Sequence, residues 1–142
     1  MTGNLRIPIE VTAAVMVRER KVLLARRKGG ELDGLWEFPG GKMESGESWA
    51  VAIEREILEE LEWEVTARNR ILVIEHDYPG KRVRLHFIHC EISKGASLPV
   101  GQGTLSEADW FDPFRIPGET KLCPPDRIAL SRIPWEELFS KS

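Results

Sequence analysis

The sequence predicts an α+β protein, or an α/β/α sandwich, in which strands surround one central helix. Two observations predict this class. Short segments rich in β-branched residues flank a single long amphipathic segment, and shorter helical segments follow near the end of the chain. The chain has 142 residues and contains no internal repeat or linker-like stretch, so we expect residues 1–142 to form one domain with its own core.

The strands are predicted from short runs of apolar and β-branched residues. They cover residues 11–17, 22–25, 71–75, 82–92 and 108–111. The polar residues 18–21 join the first two strands into a hairpin, and Pro79 and Gly80 form the turn of a second hairpin. We expect loops at residues 27–34, which contain three glycines, and at residues 93–104.

One long helix is predicted over Trp49–Leu61, with Ser48 as its N-cap. Its core-facing stripe follows the spacing of three and four residues. The stripe consists of Ala50, Ile53, Ile57 and Leu61. Residues 126–133 form a short second helix with Asp126 near its N-cap, and another short helical turn follows Pro134.

The composition argues against several classes of protein. A net charge of −3 disfavours nucleic-acid binding, which requires a basic surface. The sequence lacks both an apolar run of roughly 18 residues and the pattern of a signal peptide, so we expect no membrane association. The two cysteines, Cys90 and Cys123, indicate a reducing cytoplasm and two buried thiols, with a disulfide between them as the alternative.

Three carboxylates share one sector of the central helix. Glu56, Glu59 and Glu60 are three or four residues apart and therefore lie side by side. Like charges at this spacing repel one another, although Arg55, four residues before Glu59, offsets part of the repulsion. One interpretation is a solvated acidic face. The other is a metal site, because Mg²⁺ prefers oxygen ligands such as converging carboxylates.

The loop before the helix favours the metal site. Residues 38–47 contain three glycines, which allow the backbone to approach a ligand, although Gly40 and Gly41 also suit an ordinary turn. The loop also brings Glu44 and Glu47 to the point where the helix begins. Five acidic side chains thus fall within one loop and one helix, and we predict a divalent-metal site there.

Residues 41–63 resemble the Nudix box, the signature Gly-x5-Glu-x7-Arg-Glu-U-x-Glu-Glu-x-Gly-U, in which U is aliphatic. Its fixed positions are filled by Gly41, Glu47, Arg55, Glu56, Glu59 and Glu60. Glu62 and Trp63 depart from the signature, since they stand where the family has glycine and an aliphatic residue. We expect these two residues to alter how the chain leaves the helix and not to abolish the chemistry.

Most of the chain resembles the MutT-like branch of this family. The resemblance rests on residues 24–27, 34–42 and 85–87. The branch removes pyrophosphate from nucleoside triphosphates, including oxidised guanine nucleotides, in an α/β/α sandwich around a central mixed β-sheet. The resemblance therefore implies a Mg²⁺-dependent pyrophosphohydrolase, with Mn²⁺ as a possible substitute, acting on 8-oxo-dGTP or on a pyrimidine triphosphate such as CTP or dCTP.

The resemblance also implies roles for the residues of the hydrolytic site. The metal-binding set comprises Glu56, Glu59 and Glu60 as first ligands, with Glu44, Glu47 and the backbone of Gly41 in support. Either Glu59 or Glu60 takes the proton of the attacking water, and Arg55 completes the catalytic set. Gly40 and Gly41 contact the substrate. Arg26 pairs with a phosphate or, alternatively, is a solvated arginine at a strand end.

Three further residues are implied on the nucleoside side. Phe38 and Leu85 flank the base or belong to the core. Asp126 reads the edge of the base or caps the last helix. Some family members add a carboxylate before the strand that carries Trp110. Thr104 stands at that position, so Glu107 or Asp109 is the candidate replacement. The three histidines are interpreted as structural, and they are His76, His86 and His89.

Three functions remain open at this point. The first is hydrolysis of nucleoside triphosphates in nucleotide-pool clean-up. The second is a Nudix hydrolase of a nucleotide sugar or a dinucleoside polyphosphate, although the short N-terminal segment disfavours the nucleotide sugar. The third is a non-catalytic recognition domain, which the retained box carboxylates disfavour. In each case the partner is a small-molecule nucleotide, and both a monomer and a homodimer remain open.

Overall fold

Two β-sheets form the framework of the computed structural model, which describes residues 7–94 and 105–141. The first sheet contains, in spatial order, β5 (Gly40–Lys42), β1 (Ile9–Val15), β7 (Lys81–Lys94) and β6 (Glu64–Tyr78). The second contains β2 (Val17–Arg18), β3 (Lys21–Arg27) and β4 (Trp36–Glu37), with β8 (Leu105–Phe111) also paired to β3. Strands β1 and β7 are parallel and the other pairs are antiparallel, so the first sheet is mixed.

Helices cover both faces of the first sheet. On one face α1 (Trp49–Leu61) buries Ile53, Ile57 and Leu61 in a hydrophobic cluster with residues of β1 and β7. On the other face α2 (Pro124–Arg132) and α3 (Trp135–Ser140) pack against Val15 and Phe87. This layering confirms the predicted α/β/α arrangement. None of the helices in the described part of the chain is long and apolar enough to span a bilayer.

The central helix has the predicted bounds. The Ser48 side chain accepts a hydrogen bond from the Val51 N–H at 3.2 Å and caps its first turn. The predicted core stripe needs one correction, because Ala50 is only half-buried while Ala52 is fully buried. Ala52 is buried because β6 and β7 both pack against this side of the helix.

The first predicted hairpin is only partly correct. The strand predicted at residues 11–17 divides at Met16, so that β1 pairs with β5 and β7 in the first sheet. Only the short strand β2 pairs with β3. Its turn residues Glu19 and Arg20 both have positive φ, which closes a tight two-residue turn. A β-branched run predicts a strand but does not identify its partner, because pairing depends on distant segments.

The second hairpin is confirmed and is longer than predicted. Strands β6 and β7 pair from Tyr78 and Lys81 at the turn to Glu64 and Lys94 at the far end. The predicted loop at residues 93–104 therefore begins later, and residues 95–104 lie outside the described part of the chain. The helix predicted at residues 126–133 begins two residues earlier, at Pro124. Asp126 therefore lies inside α2, and Cys123 occupies the N-cap position of this helix.

Candidate active site

The glycine pair of β5 lies between β1 and α1. A Cβ atom at Gly40 would overlap the backbone carbonyl of Thr12, and one at Gly41 would overlap the Glu56 carboxylate. The Thr12 hydroxyl also donates to the Gly41 carbonyl at 3.1 Å. Glycine is required at Gly40 because the backbone of β1 leaves no room for a side chain, and at Gly41 because the acidic helix leaves none. The close approach fixes Glu56 directly beside the strand backbone.

Arg55 gathers the carboxylates of the box. Its Nε and Nη2 donate to the two Glu47 oxygens at 2.7 and 2.9 Å, and its Nη1 donates to Glu56 at 2.9 Å and to Glu59 at 3.0 Å. Nη2 also donates to the Lys42 carbonyl at 3.1 Å. The hydrogen bonds from Arg55 and from the Glu44 N–H lower the pKa of Glu47 to about 2. One guanidinium therefore holds three carboxylates around a common centre.

Glu44 is more loosely held than Glu47. Its carboxylate is 69% exposed and lies 3.8 Å from Arg55. Its backbone N–H donates to Glu47 at 2.7 Å, so the main structural role of this residue is to orient Glu47. Both residues lie at the start of α1, as the sequence predicts, but only Glu47 is fixed by two side-chain contacts from Arg55.

Glu60 points away from this centre and lines a cavity of about 380 Å³. Burial is the largest of the effects that raise its pKa to about 8, the nearby carboxylates of Glu37 and Glu56 contribute to the same shift, and a hydrogen bond from the Gly40 backbone opposes it. Glu59, in contrast, is 59% exposed and turned toward Arg55. The three helix carboxylates that the sequence places on one sector thus divide between the cavity wall and the surface.

The opposite end of the cavity carries a second acidic group. The ligand atoms of Glu37, Cys123 and Asp126 all lie within 4.8 Å of one another. Asp126 is 2% exposed and accepts a hydrogen bond from the Phe38 N–H at 3.0 Å. Burial and the neighbouring Glu37 raise the pKa of Asp126. Cys123 occupies the N-cap position of α2 and Asp126 lies within its first turn, so Asp126 is not the N-cap residue that the alternative interpretation required.

The arginine that lines the cavity is Arg27. Its Nη1 donates to both oxygens of Glu37, at 3.3 and 3.0 Å. Arg26 instead donates to the Gly34 carbonyl and to Glu107 at 3.0 Å. The two arginines are consecutive in β3, so their side chains leave opposite faces of the strand. The resemblance selects Arg26, which is not part of the cavity wall.

The two apolar residues predicted beside the base have different positions. Leu85 lines the cavity, together with Ile9, Val11 and Val83. The Phe38 ring is 2% exposed, stacks on Trp135 at 6.4 Å and meets Phe87 edge-on at 5.5 Å. Phe38 is therefore a core residue, and it contacts the site through its backbone N–H, which donates to Asp126, rather than through its ring.

Neither candidate for an additional carboxylate belongs to the cavity wall. Glu107 pairs with Arg26, and Asp109 accepts a hydrogen bond from the Trp110 N–H at 2.8 Å. Thr104 falls outside the described residues. The participation of Glu107 or Asp109 in metal binding stays a prediction.

The histidines lie in protein contacts outside the cavity wall. His86 is 7% exposed, and its Nε2 lies 2.6 Å from Glu10 while its Nδ1 lies 3.2 Å from Arg70. Arginine can only donate, so Nδ1 accepts and Nε2 donates its proton to Glu10. His89 is equally buried, and burial lowers its pKa. These contacts support the structural interpretation of both residues.

The two departures from the box keep the helix end compact. Glu62 adopts φ 57° and ψ 30°, the left-handed conformation that glycine takes at a helix C-terminus. The chain therefore leaves α1 as a glycine would direct it, contrary to the expectation of an altered exit. Trp63 is 3% exposed and stacks on Trp110, with 6.2 Å between the ring centroids. The guanidinium of Arg18 lies over the Trp110 ring.

Several polar cavity residues are not among the predicted site residues. They include Arg27, Glu37, Tyr78 and Lys81. Glu37 is the easiest to infer, since it precedes Phe38 and the glycine pair. Tyr78 and Lys81 flank the turn of the second hairpin and reach the cavity only because β6 and β7 are long. A larger cavity of about 490 Å³, between β7 and α3, contains none of the predicted site residues.

The comparisons with known proteins agree with this geometry. The sequence matches the family model of the NUDIX domain over residues 8–133. It is 42% identical to a CTP pyrophosphohydrolase of Escherichia coli (strain K12) over 82 residues, which are 57% of this chain and 61% of that protein. The matched stretch thus spans less than two thirds of that relative. An 8-oxo-dGTP diphosphatase of Proteus vulgaris is 33% identical over 56% of this chain and 72% of its own length.

Solved structures share the whole fold. The solution structure of the E. coli ORF135 protein is 32% identical, covers 92% of this chain and 91% of that chain, and has a TM-score of 0.69. The MutT NUDIX hydrolase of Burkholderia pseudomallei is 27% identical, covers 89% of this chain and 98% of that chain, and has a TM-score of 0.76. The family model covers most of this chain, and the carboxylates of the box are gathered around Arg55. The chain therefore belongs to the Nudix family, among MutT-like relatives.

Proposed function

We propose that this chain hydrolyses nucleoside triphosphates to the monophosphate and pyrophosphate with the aid of Mg²⁺. The observation that carries the proposal is the cavity itself, which has box carboxylates at one end and a buried acidic group at the other. This arrangement suits a substrate that combines a metal-bound polyphosphate with a base that donates hydrogen bonds.

The acidic end fits a hard divalent cation. Glu56 and Glu60 line the cavity beside the Gly40–Gly41 backbone, and Glu59 and Glu47 adjoin them through Arg55. We assign the ligands among these four carboxylates, with Glu44 in support. Gly41 contributes backbone contacts, although its carbonyl already accepts from Thr12. Oxygen donors suit Mg²⁺, and Mn²⁺ is the expected substitute.

The residues of the chain have separable roles in the reaction. A cation held by these carboxylates would neutralise phosphate charge and lower the pKa of the attacking water. Water oxygen attacks phosphorus, the bond to the leaving phosphate oxygen breaks, and a carboxylate takes the water proton. We assign that carboxylate to Glu60, because its side chain lines the cavity whereas Glu59 is turned outward. Arg55 orients the ligand carboxylates, and Arg26 remains a candidate phosphate contact from outside the cavity wall.

The nucleoside end supports a base that carries an amino group. Asp126 and Glu37 are hydrogen-bond acceptors at the floor of the cavity, and Leu85 supplies an apolar wall. Cytosine and guanine both carry a suitable amino group, which agrees with relatives described as acting on CTP and on 8-oxo-dGTP. The two free, buried thiols support a reducing, cytoplasmic setting.

A panel of nucleotides tests this proposal. CTP, dCTP, UTP, ATP, GTP and 8-oxo-dGTP are incubated with Mg²⁺ beside a nucleotide sugar and a dinucleoside polyphosphate, and release of pyrophosphate is measured. Glu60→Gln is expected to remove turnover, whereas Glu62→Gln at the end of the same helix is the matched control. Turnover of the sugar or dinucleotide alone refutes the proposal. Nucleotide binding without turnover of any compound indicates a recognition domain.

A further inference from the structure

A second cavity, of about 490 Å³, lies between β7 and α3 on the same face of β7 as the hydrolytic cavity. Strand alternation places residues 83, 85, 87 and 89 on that face. Val83 and Leu85 line the hydrolytic cavity, Phe87 is fully buried, and His89 lines the second cavity. The two cavities share none of the lining residues that the structure describes. The second cavity is therefore a separate space, and its volume is typical of small-molecule sites.

His89 is buried in the wall of this cavity without a hydrogen bond. The residue is 7% exposed, and neither ring nitrogen has a hydrogen-bond partner among residues 7–94 and 105–141. His86 is equally buried, yet both of its nitrogens are held, by Glu10 and Arg70. The His89 nitrogens are not fully enclosed by protein. Buried polar groups nearly always have a partner, so an unpaired histidine that borders a cavity points to a ligand.

The charges around His89 favour an anion. Burial is the largest of the effects that lower the pKa of His89, the charge of Glu91 opposes the shift, and the charges of Lys141 and Arg68 contribute to it. The ring is therefore neutral at pH 7 and carries one N–H donor. Glu91 is already paired with Arg68 at 2.6 Å. Lys141 is therefore the charge near His89 that is left for a ligand.

The exposed part of the wall has a net positive charge. It contains Arg18, Arg20 and Lys141. Arg20 donates to both oxygens of Glu136, which neutralises it. Among the residues that the structure describes, no carboxylate lies within 4.0 Å of Arg18 or Lys141. Glu19 also belongs to the wall and balances one of these two cations, so one positive charge remains.

The rest of the wall is apolar. Val17, Ile92 and Phe139 border the cavity. The Phe139 ring is held in place, because it stacks on Trp135 with 6.1 Å between the ring centroids and the Arg20 guanidinium lies 4.8 Å from its centroid. The cavity thus combines a fixed aromatic surface, a buried N–H donor and an ammonium group. This combination suits a ligand with an apolar body and one anionic group.

We propose that the cavity between β7 and α3 is a second binding site, which takes a small organic anion. Its anionic group accepts a hydrogen bond from His89 and lies beside the Lys141 ammonium, and its apolar body packs on Phe139. A carboxylate, a phosphate monoester and a sulfonate all satisfy this chemistry. The proposal goes beyond the hydrolytic activity, because such a ligand binds without displacing the nucleotide.

A pair of fluorescent probes tests the proposal. The first is 8-anilino-1-naphthalenesulfonate, an organic anion with an aromatic body, and the second is N-phenyl-1-naphthylamine, its uncharged analogue. The sulfonate is expected to bind the folded protein at one saturable site, more tightly than the analogue, and an excess of CMP is expected to leave it bound. Absence of saturable binding, or complete displacement by CMP, overturns the proposal.

Two variants identify the site of binding. His89→Phe retains an aromatic ring and removes the donor, so it is expected to weaken the sulfonate about tenfold and the analogue less than about twofold. Lys141→Gln is expected to weaken the sulfonate about threefold, because this charge is exposed to solvent. Lys94→Gln is the matched control. Lys94 lies at the end of β7, 3.9 Å from Glu64, and does not belong to the cavity wall, so no change is expected.

Thermal unfolding of each variant checks that the fold is retained. If His89→Phe does not fold, the exposed Lys141 still provides the test, since its substitution does not disturb the core. Unchanged affinity for the sulfonate in the folded variants overturns the proposal, as does an equal weakening of both probes. None of these measurements requires turnover. The second site therefore stands or fails independently of whether the chain hydrolyses nucleoside triphosphates.

Discussion

Glu60→Gln is expected to stabilise the metal-free protein while it abolishes turnover. The Glu60 carboxyl has a pKa of about 8 in the folded chain against an ordinary value of 4.5, because it is buried beside Glu37 and Glu56. Without a bound cation, the folded protein at pH 7 holds a proton on this group that the unfolded chain releases. Glutamine is neutral in both states and retains an acceptor for the Gly40 N–H. The substitution therefore removes an unfavourable term from folding.

The size of this term follows from the pKa values. Neutral pH lies 2.5 units above the ordinary pKa, which corresponds to about 3 kcal/mol as an upper limit. A gain of about 1–3 kcal/mol in the free energy of unfolding is expected, because partial relaxation reduces the limit. For a chain of 142 residues this raises Tm by about 3–10 °C.

Thermal unfolding in EDTA measures the effect, with Glu59→Gln as the matched control. Glu59 is largely exposed, so its substitution is expected to change the free energy of unfolding by less than about 0.5 kcal/mol. The effect of Glu60 on stability also depends on pH. Because its folded pKa is raised, protonation of Glu60 stabilises the fold below pH 4.5, and this stabilisation is lost as the pH rises to about 8. The Tm of the wild type is therefore expected to decrease between pH 4.5 and 8, and the decrease is expected to be smaller in Glu60→Gln.

Two results would refute the reasoning. The first is a Glu60→Gln variant whose Tm in EDTA is equal to or below that of the wild type. The second is a wild-type pH profile that is unchanged by the substitution. Addition of Mg²⁺ supplies a further check, since it is expected to stabilise the wild type more than the variant if Glu60 is a ligand.

Three further predictions concern the helix end, the glycine strand and the thiols. Glu62→Gly is expected to stabilise the fold by about 1 kcal/mol in urea unfolding, because the position has φ 57°, whereas Glu62→Ala retains the Cβ and should give no such gain. Gly41→Ala is expected to weaken Mn²⁺ binding and turnover at least tenfold, since its Cβ would displace the Glu56 carboxylate, and unchanged Mn²⁺ affinity would contradict this. Cys90 and Cys123, both buried with pKa raised to about 12, are expected to resist a thiol reagent until urea is added, and rapid labelling of the folded chain would contradict their burial.

The sequence predicts the hydrolytic end of the site well because that end is local. The central helix has the predicted bounds and N-cap, and Arg55 meets Glu59 as the spacing of four residues requires. Periodicity and fixed spacing contain the necessary information, since a helix converts residue number directly into position. The close approach of Gly41 to Glu56 could be seen only in the structure, although the motif already indicates that glycine is required at this position.

The nucleoside end could not be predicted in the same way, because it is assembled from distant segments. Arg27 enters the cavity in place of Arg26 because consecutive strand residues face opposite sides, and only the tertiary fold determines which side borders the cavity. Phe38 turns into the core because Trp135, nearly one hundred residues later, stacks on its ring. Such outcomes depend on tertiary packing, which local propensity and strand alternation do not determine.

The division of the cavity between local and distant segments has a consequence for how its chemistry can diversify. The hydrolytic end comes from one continuous stretch, residues 40–60, braced internally by Arg55. The opposite end is contributed by β4, the β6–β7 turn and α2, each of which supplies only one or two side chains. Substitutions at the β6–β7 turn and at Asp126 alter the shape and polarity presented to the nucleoside and leave the acidic helix in place, whereas Glu37 also raises the pKa of Glu60. A library confined to Tyr78, Lys81 and Asp126 should therefore change the selectivity of the enzyme while leaving its hydrolytic machinery intact.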